Sequence, residues 1–229
     1  VNNKVIVPFF DGTKIFLCGF SLDKGEELWK QTVNDNVGGD PILIDSYLYV
    51  VGIQYQRGDY SDLYARRVDP TTGETVLSKR IARLRKSEAA YRVGTPVLFD
   101  DSLLIRSGGS LICCDLFGNT RWIRRLSYVP PEVDPILLDV QQLDDIVVSG
   151  KHVFLNSAGS PHVVCIESAT GHEVWSRFSP TLRRVVGQID DRLIIVEGDK
   201  IAALNVENGK TLWQSRTTAD YQSILLGKD

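Results

Sequence analysis

The stretch Gly209-Lys210-Thr211-Leu212-Trp213 decides the fold class of this chain, because its spacing of glycine and tryptophan recurs along the sequence. Three further copies place a tryptophan four residues after a glycine: Gly25 with Trp29, Gly118 with Trp122, and Gly171 with Trp175. A fifth copy keeps the glycine, Gly73, and has Leu77 in place of the ring. The five ring positions lie 48, 45, 53 and 38 residues apart. A period of this size is typical of solenoids, arrays and propellers.

Each repeat consists of short apolar runs separated by turn residues. In the last repeat the runs cover residues 183–189, 192–197, 200–206 and 211–215. Aliphatic and β-branched runs bounded by Gly, Asn and Asp predict strands joined by hairpins. The Asn208-Gly209 pair predicts a tight hairpin, because both residue types accept positive φ.

The other copies follow the same order, so we predict a single all-β domain over residues 1–229. It is a β-propeller of about five four-stranded antiparallel blades, with repeats at residues 1–36, 37–92, 93–135, 136–180 and 181–217. The first repeat has only three strands, at residues 4–10, 14–22 and 27–32. A strand at 223–227, within residues 218–229, would complete that first sheet and remove an open edge. The alternative is that the chain is a segment of a longer array.

The glycine and the ring have separate structural roles in this prediction. The glycine ends a turn at positive φ, where a side chain would be strained. The tryptophan four residues later lies in the outermost strand, where it can bury about 200 Å² against the next sheet. We therefore interpret the rings as packing wedges between blades, rather than as ligand contacts, and expect a looser contact at Leu77.

With these residues in view, the chain resembles the PQQ-like β-propeller repeats, whose unit is similar to Ala-Leu-Asp-x-x-x-Gly-x-x-x-Trp. The residues at 201–213 and 163–175 carry the resemblance, which extends over the whole chain as five repeats. Family propellers commonly have seven or eight blades, so five repeats is a departure. The resemblance implies an exported, periplasmic bacterial protein. It leaves two kinds of function open: quinoprotein alcohol dehydrogenases that bind pyrroloquinoline quinone and calcium, and outer-membrane assembly lipoproteins that serve as protein-binding scaffolds.

Adjacent cysteines at Cys113 and Cys114 invite comparison with the vicinal disulfide that quinoprotein dehydrogenases place beside their cofactor. Here they fall in an apolar run at 111–116, and a vicinal disulfide would distort a paired strand, so we predict a buried structural pair. The histidines lie at two strand starts and a turn of one repeat and predict solvated side chains rather than converging metal ligands: His152, His162 and His172.

Paired acids recur where the first strand of a repeat should turn into the second: Asp100-Asp101, Asp144-Asp145 and Asp190-Asp191. Recurrence at a turn position indicates turn chemistry rather than acid–base catalysis. The sequence contains no Gly-rich phosphate loop, no Gly-x-Ser-x-Gly and no His-Glu-x-x-His. No catalytic constellation is therefore predicted.

Two insertions between repeats are individual in composition and are candidate partner-binding surfaces. Residues 79–92 carry six basic residues and one acid, and we predict that residues 80–92 form a connection between blades with one helical turn. Residues 128–135 form a proline-rich loop. The candidate contact residues are Arg83, Arg85, Lys86, Tyr91, Arg92, Tyr128, Pro130 and Pro131. The alternative is that both insertions are solvated connections.

The net charge of −3 gives no reason to expect a nucleic-acid partner, and no apolar run is long enough to span a membrane. The chain begins at Val1 and contains no methionine, which suggests a processed or excised segment. We predict a non-catalytic scaffold that binds a protein or peptide through rim loops and needs no cofactor. The alternatives are a dehydrogenase dependent on pyrroloquinoline quinone and calcium, and a propeller that binds a small ligand or carbohydrate.

Overall fold

A computed structural model of the chain describes residues 3–11, 15–33, 36–85, 93–126, 146–156 and 161–216. Within these residues every regular element of secondary structure is a β-strand. The chain divides into two compact units, Val1–Ile123 and Arg124–Asp229. Each unit is built from small sheets in which strands that follow one another in sequence are also neighbours in space.

The first unit holds a three-stranded sheet followed by a four-stranded sheet and most of another. The first sheet has the order β1 (Lys4–Phe10), β2 (Ile15–Ser21) and β3 (Glu27–Val33). The second sheet consists of β4 (Asn36–Ile44), β5 (Tyr47–Tyr55), β6 (Tyr60–Val68) and β7 (Thr75–Arg85). The third consists of β8 (Val97–Phe99), β9 (Ser102–Ser107), β10 (Ser110–Asp115) and β11 (Thr120–Arg125), whose last two residues lie past the boundary.

The second unit holds two four-stranded sheets with the same antiparallel order. The fourth sheet consists of β12 (Ile146–Ser149), β13 (His152–Asn156), β14 (His162–Glu167) and β15 (Glu173–Phe178). The fifth consists of β16 (Leu182–Ile189), β17 (Arg192–Glu197), β18 (Lys200–Asn205) and β19 (Thr211–Arg216). The strand bounds follow the predicted runs closely, including three strands in the first repeat.

Apolar side chains fill the space between successive sheets within each unit. Because successive residues of a strand point to opposite faces, β5 contributes to two separate clusters. Leu48 and Val50 pack with Leu17 of the first sheet, whereas Val51 and Ile53 pack toward the third sheet. A comparable cluster joins the fourth and fifth sheets of the second unit. Both faces of an inner strand are therefore buried, which explains the near-continuous apolar runs in the sequence.

The recurring glycine ends the same turn in four of the five copies, and in the third repeat the turn is one residue shorter, with the Gly118 N–H donating to the carbonyl of Asp115 at 3.0 Å. The Gly209 N–H donates to the carbonyl of Asn205 at 2.8 Å, and the Asn205 N–H donates to the carbonyl of Lys210 at 2.8 Å. Gly209 has φ of 68°, and the glycine of the other copies has φ between 68° and 74°. Asn208 is not among the residues with positive φ. The predicted two-residue hairpin is therefore wrong: a longer turn needs only one left-handed residue, and glycine supplies it.

Trp29 and Trp175 each lie on the glycine of the next repeat. A Cβ built on Gly73 would lie 2.4 Å from Cε3 of Trp29, and one on Gly209 would lie 2.7 Å from Cε3 of Trp175. The indole N–H of Trp29 donates to the carbonyl of Pro70 at 3.1 Å. That of Trp175 donates to the carbonyl of Val206 at 2.8 Å. Each acceptor stands three residues before the glycine, so the turn supplies both a flat surface and a hydrogen-bond acceptor for the ring.

The repeats depart from this contact in two places. Where Leu77 replaces the ring, Lys79 packs on the glycine of the next repeat. Its Cβ lies 2.9 Å from the Cβ position of Gly118, and its Nζ donates to Oδ1 of Asn119. In the last repeat Trp213 is 44% exposed, in contrast to 8% for Trp29. Trp122 is half-buried.

Several smaller predictions can be compared with the structure. Residues 80–85 belong to β7, so the predicted connection with a helical turn is wrong for that part of residues 80–92. The acidic turns are supported at Asp100 and Asp190, which have positive φ of 48° and 52°. The pair Asp144-Asp145 and the predicted closing strand at 223–227 lie outside the described residues.

Candidate partner-binding site

The second sheet differs from the others in the length of its strands. Its outermost strand β7 has 11 residues, whereas the corresponding strands β3 and β19 have 7 and 6. Strands β5 and β6 have 9 residues each. The hairpin between them ends at Tyr55 and Tyr60, which are 39% and 45% exposed. The second sheet therefore presents an extra length of strand that the other repeats lack.

A β-bulge in β7 determines which of its side chains share a face. Leu63 of β6 pairs with Ala82, and the next residue, Tyr64, pairs with Arg80, so Ile81 is the extra residue. Ile81 and Ala82 are both buried in the cluster between the second and third sheets. Because the bulge resets the alternation, Arg80 lies on the same face of the sheet as Arg83 and Arg85. Strict alternation would have placed Arg80 on the opposite face.

These three arginines stand in register with three side chains of β6. Arg85 pairs with Tyr60, Arg83 with Asp62, and Arg80 with Tyr64. We call this surface the arginine face and define it by those six residues. It carries three positive charges and one negative charge. Its outer part is open to solvent, since the side chains of Arg80 and Arg83 are 51% and 52% exposed.

Asp62 is the buried carboxylate of the arginine face. It is 2% exposed, and its carboxylate accepts two hydrogen bonds from Arg83, from Nε at 2.7 Å and from an Nη at 2.9 Å. Nη1 of Arg80 lies 3.7 Å from the same carboxylate. The hydrogen bond from Arg83 lowers the pKa of Asp62 below its usual value, and the positive charges of both arginines act in the same direction, while burial opposes them. The bidentate pair fixes the guanidinium of Arg83 in one orientation.

A cleft of about 240 Å³ lies beside the arginine face, between the first and second sheets. Its walls combine apolar side chains, among them Leu17, Val50 and Val68, with the polar side chains of Gln31 and Arg66. Arg66 connects the cleft to the face, because its guanidinium stands 5.9 Å from the ring of Tyr64. The cleft is large enough to accept a side chain of a partner next to the arginines.

The predicted contact residues divide into two groups. The structure places Arg83 and Arg85 together on the arginine face, although on a strand rather than on a rim loop. The others lie outside the described residues: Lys86, Tyr91, Arg92, Tyr128, Pro130 and Pro131. The contact residues predicted from the sequence did not include Arg80, Asp62 and Tyr60. Alternation along β6 was a usable signal for Tyr60, Asp62 and Tyr64, whereas the bulge that brings in Arg80 leaves no local mark in the sequence.

The cysteines are free, buried thiols. Cys113 and Cys114 lie in the inner strand β10 and are 2% and 0% exposed. Burial raises the pKa of Cys113, and it raises the pKa of Cys114 to about 12. A thiol with a pKa of about 12 carries almost no thiolate near neutral pH, so Cys114 has little nucleophilic reactivity in the folded chain.

The histidines differ from one another in exposure. His152 is 5% exposed with its ring 5.7 Å from that of Phe154, so the prediction of a solvated side chain is wrong there, because β13 is an inner strand. His162 is half-buried beside Phe178, and His172 is exposed in a turn. Among the residues with described positions, no group of three or more His, Cys, Asp or Glu side chains is placed to hold a metal ion. Nor does this part of the chain contain a helix with the length and apolarity to span a membrane.

Comparison with known proteins assigns this architecture. Residues 59–177, which are 119 of the 229, match the family model described as outer membrane protein assembly factor BamB. BamB from Moraxella catarrhalis is 21% identical, with a TM-score of 0.64 over 94% of this chain and 58% of that one. A search of curated proteins finds no significant match.

Two further solved structures share the fold at lower identity. Sqt1 from Saccharomyces cerevisiae is 14% identical, with a TM-score of 0.56 over 93% of this chain and 58% of that one. A quinohemoprotein alcohol dehydrogenase from Comamonas testosteroni is 12% identical, with a TM-score of 0.55 over 93% and 43%. Likeness at these identities shows the fold alone, and the predicted β-propeller class is confirmed. The chain spans less than two thirds of the length of each of these three proteins.

Proposed function

Because this chain belongs to the family of the outer membrane protein assembly factor BamB, we propose that it is a non-catalytic β-propeller scaffold that binds a protein partner through its arginine face. By the same relationship we propose an exported location, in the periplasm of a bacterium. The proposal includes no catalytic step and no cofactor. It concerns the described part of the chain, whose matched relatives are considerably longer.

One observation carries the proposal: the bulge in β7 aligns three arginines on a face that also presents two tyrosines. Arginine and tyrosine are enriched at the centres of protein–protein interfaces, because both combine a large contact area with directional hydrogen bonds. Tyr60 and Arg80 keep about half of their side-chain surface in solvent. That surface is available for burial against a partner.

Rigidity supports the same conclusion. Leu84 and Ala82 are buried in the core between the second and third sheets, so the strand that carries the arginines is held by packing on its other face. Asp62 fixes Arg83 through two hydrogen bonds. A face that is already ordered loses less conformational entropy when a partner binds. These features are expected of a binding surface built on strands.

Site-specific photocrosslinking tests the proposal. A photoreactive phenylalanine analogue replaces Tyr60 in one variant and Phe117 in a control variant, and both are expressed in the periplasm of a bacterial host. Phe117 is a matched control because it is an aromatic residue, 61% exposed, in a turn of the third repeat. We expect a discrete protein adduct from position 60 that is absent from position 117.

A second change shows whether the adduct depends on the arginines. Introducing Arg85→Glu into the crosslinking variant is expected to abolish the adduct, because the charge next to position 60 is reversed. Equal adducts from positions 60 and 117, or no adduct from position 60, would contradict a partner surface on this sheet.

A further inference from the structure

We propose that the arginine face recognises an extended acidic segment of a partner protein, with carboxylates at alternate residues. This inference rests on the proposed function and specifies the chemistry of the partner. Three properties of the row of cations that the bulge creates support it, namely spacing, carboxylate binding and charge.

Spacing is the first property. Arg83 and Arg85 are two residues apart on one strand, so their Cα atoms are separated by about 6.4 to 6.8 Å. The side chains at positions i and i+2 of any extended peptide have the same separation and point the same way. An extended segment that crosses the face in line with β7 therefore presents alternate residues to Arg85 and Arg83. Its next alternate residue reaches the row of Arg80, which the bulge places three positions before Arg83. A helical segment does not, because its residues i and i+2 point in different directions.

The second property is the demonstrated geometry of carboxylate binding at this face. Asp62 already receives a bidentate pair of hydrogen bonds from Arg83, at 2.7 and 2.9 Å. Arg80 stands 3.7 Å from that carboxylate, which is beyond hydrogen-bond distance, and is half exposed. A carboxylate from a partner can approach Arg80 from the solvent side in the way that Asp62 approaches Arg83 from the protein side. Guanidinium groups suit this pairing because their donors form a planar fork.

Charge distribution is the third property. The arginine face has a net charge of +2, from three arginines and one aspartate, within a chain whose formal charge is −3. Within residues 36–85 the arginine face spans three register rows, and exposed Asp59 lies at the tip of the adjoining hairpin. Single-stranded nucleic acid favours a longer groove of cations that follows several nucleotides. A short acidic peptide segment fits this patch better.

The tyrosines set a limit on the bound segment. Tyr60 and Tyr64 stand in the same register rows as Arg85 and Arg80, so a segment that reaches the arginines also lies along two aromatic rings. The residues between the acidic ones point away from the face, and β-branched side chains there favour the extended conformation. The expected ligand therefore alternates acidic residues with β-branched residues.

Fluorescence anisotropy with defined peptides tests this inference on the full chain. The probe is a labelled peptide of alternating glutamate and threonine, and the matched control has the same composition with its glutamates and threonines in two separate blocks. We expect the alternating peptide to bind more tightly than the block peptide. Arg80→Glu and Arg85→Glu should each lower its affinity about tenfold, because each change replaces an attraction by a repulsion.

A charge-matched variant controls for the general effect of a more negative protein. Arg192→Glu makes the same change of charge in the second unit, at a side chain that is 56% exposed. We expect it to leave the affinity unchanged. Circular dichroism establishes that each variant is folded, and Arg85→Gln replaces Arg85→Glu if the latter is not.

The outcomes separate this inference from the proposed function. Equal affinity for the alternating and block peptides, or an equal loss from Arg192→Glu, overturns the alternating acidic segment, whereas an adduct at position 60 still supports a protein partner. Tighter binding of a labelled oligothymidine of equal charge overturns the peptide in favour of nucleic acid. If position 60 gives no adduct but the alternating peptide binds as expected, only the proposed function is contradicted.

Discussion

Replacing Gly73 by alanine tests whether the recurring glycine acts both as a turn residue and as a surface for the ring of the preceding repeat. Gly73 has φ of 74°, and a Cβ there would lie 2.4 Å from Cε3 of Trp29. Gly25 occupies the same turn of the first repeat with φ of 68°, and a Cβ there meets nothing within 4 Å. The two substitutions share the backbone strain and differ in the clash.

The size of the difference can be worked from these contacts. An alanine in the left-handed region costs about 1 to 2 kcal/mol, and this applies to both variants. In Gly73→Ala the ring of Trp29 must also move, which breaks its hydrogen bond to the carbonyl of Pro70 at a cost of about 1 kcal/mol. Lost packing of a ring that is 8% exposed adds about 1 to 2 kcal/mol. We expect a loss of about 1 to 2 kcal/mol for Gly25→Ala and about 3 to 5 kcal/mol for Gly73→Ala.

Urea denaturation followed by tryptophan fluorescence measures the free energy of unfolding of both variants. Gly58→Ala gives a second control, because Gly58 also has positive φ and open space around its Cβ position. Equal losses for Gly73→Ala and Gly25→Ala would refute the reasoning. The ring would then not depend on the glycine beneath it.

Four further predictions concern single groups. Trp29→Ala should destabilise the chain by about 3 to 5 kcal/mol and Trp213→Ala by clearly less in the same urea titrations, because Trp213 is 44% exposed. Cys114 and Cys165, whose pKa values burial raises to about 12, should react with a disulfide reagent at pH 8 only after denaturation, and fast reaction in the folded state would contradict their burial. The pKa of Asp62 is lower in the folded chain than its ordinary value of 3.8, so its carboxylate stabilises the fold above about pH 3.8. That stabilisation is lost as the pH falls through the lowered pKa. In an acid titration, the free energy of unfolding of Asp62→Asn should therefore fall less steeply below pH 3.8 than that of the unchanged chain. Adding pyrroloquinoline quinone and calcium should produce neither a shift in absorbance nor alcohol-dependent dye reduction, and a clear signal would overturn the scaffold proposal.

The β-propeller class was predictable because its signal is local and repeated. Gly209 and Trp213 mark a turn and an outer strand within five residues, and the pattern recurs every 38 to 53 residues. Strand bounds followed from alternation and turn residues, which depend on neighbours in sequence. The second role of the glycine was not predictable in this way. The contact of Gly73 with Trp29 joins residues 44 positions apart.

The candidate site was only partly predictable, for a similar reason. Composition drew attention to Arg83 and Arg85, because basic residues cluster there. Whether three arginines share a face depends on one unpaired residue, Ile81, and a bulge depends on the pairing of two strands rather than on either sequence alone. The burial of His152 could not be predicted from its residue type either. It is set by the inner position of β13 in its sheet.

The second repeat has Leu77 in place of the tryptophan, and it also carries the arginine face. Strand β7 is involved in both features. The atoms nearest a Cβ at Gly118 belong to Lys79 and not to Leu77, and the contacts between the second and third sheets continue farther along β7. Lys79 packs on Gly118, and the hydroxyl of Thr120 donates to the carbonyl of Ile81. Leu84, two residues beyond Ala82, still belongs to the core between these sheets. A long outer strand is thus held in place by distributed contacts, and its length carries Arg83 and Arg85 beyond the six- or seven-residue limit of the other outer strands. The repeat that lacks the tryptophan is therefore also the repeat whose outer strand has the length and the packing that the proposed binding surface requires.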